Sequence, residues 1–233
     1  KKICEKYKKK FDLTLINHKK RLGAAISRNH GLKLAKGEYI IFLDSDDYLL
    51  GKSLFELKNI IIKNKFPNVI LNNIKRNRIP TSNDHILKNF KDKLQKKKEF
   101  FLTLNKNKII FYECWLFVIS KKLIIDNNIS FQKIQFAEDA TFVIKILLLM
   151  NSIVINKSKF LHHRSREKSL KHTIGIEAAY AYILILIDLY RLFKIHSKNN
   201  VIKRYLKFII FKTIAFYGAY ITLLNKNETS KLS

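Results

Sequence analysis

Glu38-Tyr39-Ile40-Ile41-Phe42-Leu43 is a nearly continuous apolar run that stops abruptly at Asp44-Ser45-Asp46-Asp47. Such a run predicts a parallel strand covered on both faces. The carboxylates that end it then stand at the carboxyl edge of a sheet, where open α/β sheets bind ligands. Three like charges packed together repel unless a cation sits among them. A hard divalent ion, held by carboxylate oxygens and substrate phosphates, meets that need. The competing reading is a solvated turn that caps the next helix, because Asp and Ser favour such positions.

The surroundings of this run have a regular order. Residues 1–10 read as the end of a basic helix, and Phe11-Asp12-Leu13-Thr14-Leu15-Ile16 suits a short buried strand. Ala24 to Ala35 carries a helical pattern that ends at Lys36-Gly37, where Gly supplies the left-handed position after a helix. A helix is expected from Ser53 to Lys63 and a strand from Pro67-Asn68-Val69-Ile70-Leu71. Strand–helix–strand–helix–strand implies an α/β layer architecture.

Further on, 72–89 reads as loop, Leu87–Leu104 as helix and Cys114–Ile119 as strand. Ala140–Met150 is strongly helical, and Ile153-Val154-Ile155 makes a short strand. From Ile176 the chain reads as two helical stretches divided by Ser197-Lys198-Asn199-Asn200.

At 233 residues with 47% hydrophobic content, one domain with an appendage is the simplest organisation. The net charge of +28 fits either an anionic partner or a Lys-, Asn- and Ile-rich composition, and Lys is spread along the whole chain. No zinc-ligand spacing, heptad basic region or RNA-binding aromatic signature accompanies the charge, so nucleic acid is not the expected partner. Cys4 and Cys114 are expected to be free thiols in a reducing cytoplasm. Lys1-Lys2-Ile3-Cys4-Glu5-Lys6 has no apolar run behind it, so no signal peptide is expected.

Gly23-Ala24-Ala25-Ile26-Ser27-Arg28-Asn29-His30-Gly31-Leu32, with Lys36-Gly37-Glu38-Tyr39-Ile40-Ile41-Phe42-Leu43 and the acidic cluster, resembles glycosyltransferase family 2. The similarity spans about 30 residues with the spacing intact. It implies a GT-A fold: a Rossmann-like sheet over residues 1–172, N-terminally incomplete by about one βαβ unit, with a helical appendage at 173–233. It also implies a nucleotide-sugar donor and a Mn or Mg ion. Asp46 would hold the metal that bridges the donor diphosphate, and Asp44 would meet the ribose or the metal through water. Arg28 would contact the donor near a helix start, or else pair with the acidic cluster to hold the loop. For Asp47 only a cap on the following helix is expected.

Phe136-Ala137-Glu138-Asp139-Ala140-Thr141-Phe142 places two carboxylates at the head of an apolar helix, where the helix dipole alone would favour them. The family, however, carries Asn-x-x-Phe followed by Glu-Asp and a Phe three residues on. Asn128-Ile129-Ser130-Phe131 and Glu138 to Phe142 match that pattern. Trp115-Leu116-Phe117 and Lys121-Lys122-Leu123 match an acceptor-side strand and the helix after it. Displacement at an anomeric carbon needs a base for the acceptor hydroxyl. The resemblance makes Asp139 that base and Glu138 the second candidate, with inversion of configuration.

Leu161-His162-His163-Arg164-Ser165-Arg166-Glu167-Lys168-Ser169 is similar to the family's aromatic–Arg–x–Arg–Glu–Gly–Ser segment, with Lys168 where Gly is usual. Arg164 or Arg166 would neutralise the departing diphosphate, and His163 is a further candidate metal ligand. The alternative for the two His is a packing role. Ala178–Ile187 is too short to span a bilayer, and Lys207 and Lys212 interrupt Tyr205–Leu224. The second stretch therefore reads either as an interfacial helix or as one packed on the catalytic domain. The expected acceptor is a saccharide or lipid-linked molecule of cell-surface polysaccharide synthesis, with the enzyme in the cytoplasm and peripheral at the inner membrane face. The alternative is an inactive fragment or degenerate paralogue that acts as a binding module.

Overall fold

Val69, Ile70 and Leu71 are fully buried, as is Ile74, and the segment that carries them is the central strand of the sheet. The computed structural model describes residues 2–8, 10–76, 82–164 and 176–232. Among these the strands are β1 (Tyr39–Ile41), β2 (Tyr48–Leu49), β3 (Val69–Arg76), β4 (Gln95–Lys96), β5 (Phe117–Ser120) and β6 (Ser152–His163). They form one sheet in the order β1-β5-β3-β6-β2, and β4 also pairs with β6. β3 and β6 are parallel, while β5 runs antiparallel to both β1 and β3. β2 and β4 pair antiparallel with opposite ends of β6.

The helices that come before β5 in the chain are α1 (Lys2–Lys8), α2 (Ala24–Leu34), α3 (Ser53–Lys63), α4 (Ser82–Leu87) and α5 (Lys97–Asn107). They are followed by α6 (Lys121–Asp126), α7 (Glu138–Leu149), α8 (Ile176–Ile195) and α9 (Asn200–Leu232). α7 is buried on nearly every side, from Ala140 to Leu148, which accounts for its uniformly apolar sequence. α8 and α9 add Ile185, Leu189, Tyr205 and Ile209 to the same core, and Tyr205 meets Phe101 of α5 edge-on at 5.1 Å.

Several expectations change. Phe11–Ile16 forms no strand: Phe11 is 66% exposed, and no neighbouring strand lies beside it to complete a ladder among the described residues. β1 is shorter than the apolar run and pairs antiparallel with β5, although it points the same way as β3. The Cys114–Ile119 strand begins only at Phe117, because Cys114–Leu116 turns as a 3-10 helix. Leu87–Leu104 is not one helix. Asn89 donates to the carbonyls of His85 and Ile86 and closes α4, and the chain resumes helix only at Lys97.

The largest difference is in the two central strands. Asn72–Arg76, expected as loop, continues β3, and β6 runs eight residues past Ile155 to His163. The ladder slips at Asn72/Asn73 and again at Asn73/Ile74. Asn side chains satisfy the backbone at these bulges: Asn73 donates to Lys157 O at 2.9 Å, and Asn156 Oδ1 accepts the Ser158 amide at 3.1 Å. Bulges bend a strand and re-aim its side chains. Here the bend lies between the buried run Ile153–Asn156 and the second buried run Phe160–His162.

Candidate active site

The first turns of α2 matter less for core packing than for what they carry, since only Ala25 of this helix is buried. Asn29 makes a two-pronged hydrogen bond with the backbone of Phe131, donating to its carbonyl and accepting from its amide, each at 2.9 Å. Phe131 stacks on Phe142 at 3.9 Å, and Phe42 meets both rings edge-on. Phe42 follows β1 and Phe142 lies on α7. This aromatic cluster therefore locks the acidic strand end against the helix that bears Glu138 and Asp139.

Above it lies Arg28, with its guanidinium 5.5 Å from the Phe131 ring centre. Its Nη1 donates to Glu138 Oε1 at 2.7 Å and to Asp139 Oδ1 at 2.5 Å, while Nη2 donates to Asp44 Oδ1 at 2.9 Å. The structure thus brings Arg28, Asp44, Glu138 and Asp139 together. Burial opposes the charge on Arg28, but the surrounding anions outweigh it and raise its pKa above the usual arginine value. Burial pushes Asp139 up to about 6, with Arg28 opposing the rise and Glu138 adding to it. The amide of Cys114 donates to the other oxygen of Asp139 at 3.2 Å, which is where the 3-10 turn directs its N–H. Burial also raises the Cys114 thiol well above its ordinary value, so it stays protonated.

Glu138 and Asp139 reach this position through a tight backbone corner. Ala137 adopts a left-handed conformation with φ 53°, which costs a non-glycine residue about 1 kcal/mol. Strain of this kind persists where surrounding structure over-determines it, often at functional sites.

A second cluster forms where β6 meets the acidic turn. Asp47 does not cap α3, whose N-cap is Lys52. Its side chain is wholly buried, lies 3.0 Å from His163 Nδ1 through Oδ2, and accepts the Arg164 amide at 2.9 Å through Oδ1. An ionised carboxylate only accepts, so Nδ1 of His163 is the donor of this pair. His163 also stacks on Trp115 at 4.7 Å with ring planes 12° apart. Tyr48 packs against His162 and lies 5.3 Å from the Arg164 guanidinium carbon. Both His rings pack against aromatic neighbours, and His163 has a carboxylate partner besides. Asp46 stands on the same turn, one residue before Asp47. Arg166 lies outside the described residues. Among those residues, no three His, Cys, Asp or Glu side chains are gathered so that they could hold a metal ion unaided.

The structure adds Asn29, Cys114 and Trp115 to the candidate site and gives Asp47 a larger part than a helix cap. The Arg28-Asn29 pair and the unbroken Asp46-Asp47 pair were the only local signals for two of them. The other two depend on contacts across the sheet.

Three carboxylates gripped by one arginine, and a single buried carboxylate held by a histidine, define a candidate group-transfer site on a GT-A fold. The description Glycosyl transferase family 2 matches residues 1–124, and the chain belongs to that family. The cholesterol galactosyltransferase of Borreliella burgdorferi is 27% identical over 188 residues, covering 75% of this chain and 51% of that protein. The poly(ribitol-phosphate) β-N-acetylglucosaminyltransferase TarP of Staphylococcus aureus is 32% identical over 164 residues, covering 63% of this chain and 46% of that one. The crystal structure of S. aureus TarS in complex with UDP-GlcNAc superposes with a TM-score of 0.65 at 25% identity, over 81% of this chain and 53% of that chain. The chain spans about half the length of these relatives.

Proposed function

We propose that the chain is the catalytic part of an inverting glycosyltransferase. It would move a sugar from a nucleotide-sugar donor to a saccharide or lipid-linked acceptor in cell-surface polysaccharide synthesis. The observation that carries this reading is the Arg28 bridge, which sets Asp44 and the pair Glu138–Asp139 against one guanidinium. Asp44 belongs to the turn assigned to the donor, and Asp139 is the assigned base. A base whose pKa lies near the working pH is the effective one, and burial moves Asp139 in that direction. Glu138 is the second candidate.

On the donor side we assign a Mn or Mg ion to Asp46, with His163 as a further ligand. When bound, the ion would stabilise the departing nucleoside diphosphate. Two protein ligands suffice where substrate phosphates and water complete the shell, as is usual for magnesium. The Asp47–His163 hydrogen bond supports the fit, since metal-binding His commonly gives its other N–H to a carboxylate. Arg164, and Arg166 beside it in sequence, would face the diphosphate charge. The relatives act on galactosyl or N-acetylglucosaminyl transfer by name, and TarS is seen with UDP-GlcNAc. A uridine-linked hexose is therefore the first donor to test. A lipid-linked acceptor would place the enzyme in the cytoplasm, peripheral at the inner membrane face.

The test is release of UDP from UDP-GlcNAc and UDP-galactose with Mn or Mg present. Metal-dependent release that is lost in Asp46→Ala and in Asp139→Asn supports the reading. If neither donor binds or turns over across a wider donor screen, the chain is a binding module and the proposal fails.

A further inference from the structure

The two C-terminal helices present two chemically different faces. On α9, Ile202, Tyr205, Leu206 and Ile209 are buried at helical spacing and join the core. The opposite face carries Arg204, Lys207, Phe211 and Ile214, all exposed. On α8, the buried row Ala181, Ile185 and Leu189 is matched by an outer row of Tyr180, Ile183, Ile187 and Tyr190. These outer apolar side chains are large and wet: Phe211 is 67% exposed, Phe216 59% and Tyr190 54%. Contiguous exposed apolar surface rimmed by polar groups marks an interaction site.

Charge of one sign surrounds the part of this surface near the turn between the helices, while Glu177 is exposed at the far end of α8 and Asp188 pairs with Arg191. Residues 189–212 contain seven Lys or Arg and no Asp or Glu. Arg191, Lys194, Arg204, Lys207 and Lys212 are exposed. Lys194 lies 5.4 Å from the Tyr190 ring centre and Lys212 5.9 Å from that of Phe208, so cations and aromatic rings share the same surface. A second copy of the chain is disfavoured as the occupant, because a two-fold interface would set this cationic patch against itself. Nucleic acid would leave the aliphatic side chains unmatched. Neither helix is long and apolar enough to cross a membrane among the described residues.

We propose that the outer face of the α8–α9 hairpin docks on an anionic lipid surface, with Tyr190, Phe211, Ile214 and Phe216 entering the headgroup boundary and the surrounding Lys and Arg meeting lipid phosphates. Basic helices with aromatic and aliphatic residues on the exposed face bind membranes in this way. The inference deepens the peripheral placement proposed above and does not depend on the donor chemistry. The hairpin is also tied to the candidate base. Asp188 of α8 accepts from Lys145 of α7 at 3.0 Å and from Gln132 at 2.7 Å, one residue from Phe131. A docked hairpin therefore holds α7 in a fixed relation to the lipid surface.

The experiment is sedimentation of the full chain with vesicles of phosphatidylcholine alone and with about one third phosphatidylglycerol. Binding is expected on the anionic vesicles only. It should fall at least tenfold in the double variant Phe211→Ser/Ile214→Ser and in Lys207→Glu/Lys212→Glu. Circular dichroism should show both variants folded, because all four positions are exposed. UDP release from UDP-GlcNAc, measured without vesicles, separates this result from failure of the transferase reading, since these variants leave it unchanged. Equal binding to neutral vesicles, binding indifferent to both variants, or a concentration-dependent dimer that the serine variant abolishes would each overturn the proposal.

Discussion

Arg28 and Asp139, 111 residues apart, meet at 2.5 Å beside a third partner, Asp44, on the turn after the first strand of the sheet. One guanidinium thus joins the two halves of the candidate site, and its fixed, planar donors suit several carboxylates at once. Its charge also holds the Asp139 pKa below the level that burial alone would impose, leaving it at about 6.

If Asp139 is the base, that value places the acid limb of the transfer near pH 6 instead of near 4. Turnover, followed as UDP release, should fall about tenfold per pH unit below that point as the base becomes protonated. A limb that stays near pH 4 would remove Asp139 from the base role.

Asp139→Asn should cost about a hundred- to ten-thousand-fold in turnover without loss of fold. The folded pKa lies above the unfolded value of 3.8, so between 3.8 and about 6 the folded chain binds more protons. Ionisation of Asp139 therefore lowers stability as pH rises through that window. The variant should melt no lower than the parent at pH 7, and any gain should vanish towards pH 4.

Removing the arginine acts in the opposite sense. Arg28→Ala leaves three carboxylates without their counter-charge, two of them largely buried. A loss of about 3 kcal/mol in denaturant unfolding is expected, as for other broken buried ion pairs. Any remaining activity should have its acid limb moved to higher pH, because the charge that restrains Asp139 is gone. A limb moved to lower pH would contradict the bridge.

Asp47→Ala removes the acceptor for both the His163 ring and the Arg164 amide. If His163 is a metal ligand, the manganese concentration for half-maximal UDP release should rise about 10- to 100-fold, the usual effect of losing such a partner. An unchanged manganese requirement would confine Asp47 to joining β2 and β6.

Asn29→Ala cuts both hydrogen bonds to Phe131 and leaves that segment's amide and carbonyl without partners. A loss of about 1–3 kcal/mol is expected from denaturant unfolding. Turnover should fall as well, since the Phe131 segment leads into Glu138 and Asp139.

Much of this was legible in the residues themselves. The run Glu38–Leu43, the apolar helix after Asp139 and the two C-terminal helical stretches were readable because local periodicity reports burial directly. The family resemblance carried by the Arg-Asn, Asp44–Asp47 and Glu138-Asp139 motifs named the residues of the candidate site. What periodicity could not supply was anything set by partners distant in sequence. Phe11–Ile16 has a strand's composition but no ladder beside it among the described residues. Asn72–Arg76 looks too polar for a strand, yet it continues one because its Asn side chains satisfy the bulged backbone of β6.

The same division holds for the site. The motifs that resemble the family named Arg28, Asp44, Glu138 and Asp139 separately, while only the folded sheet brought α2 and α7 close enough for one guanidinium to bind all three acids. Likewise Asp47 read as a helix cap until the bend in β6 delivered His163 and Arg164 to it. The acidic run that ends the first strand marks one side of the candidate site. Tertiary structure decided which carboxylate holds what, because contacts across more than a hundred residues depend on strand order and register and leave no local trace.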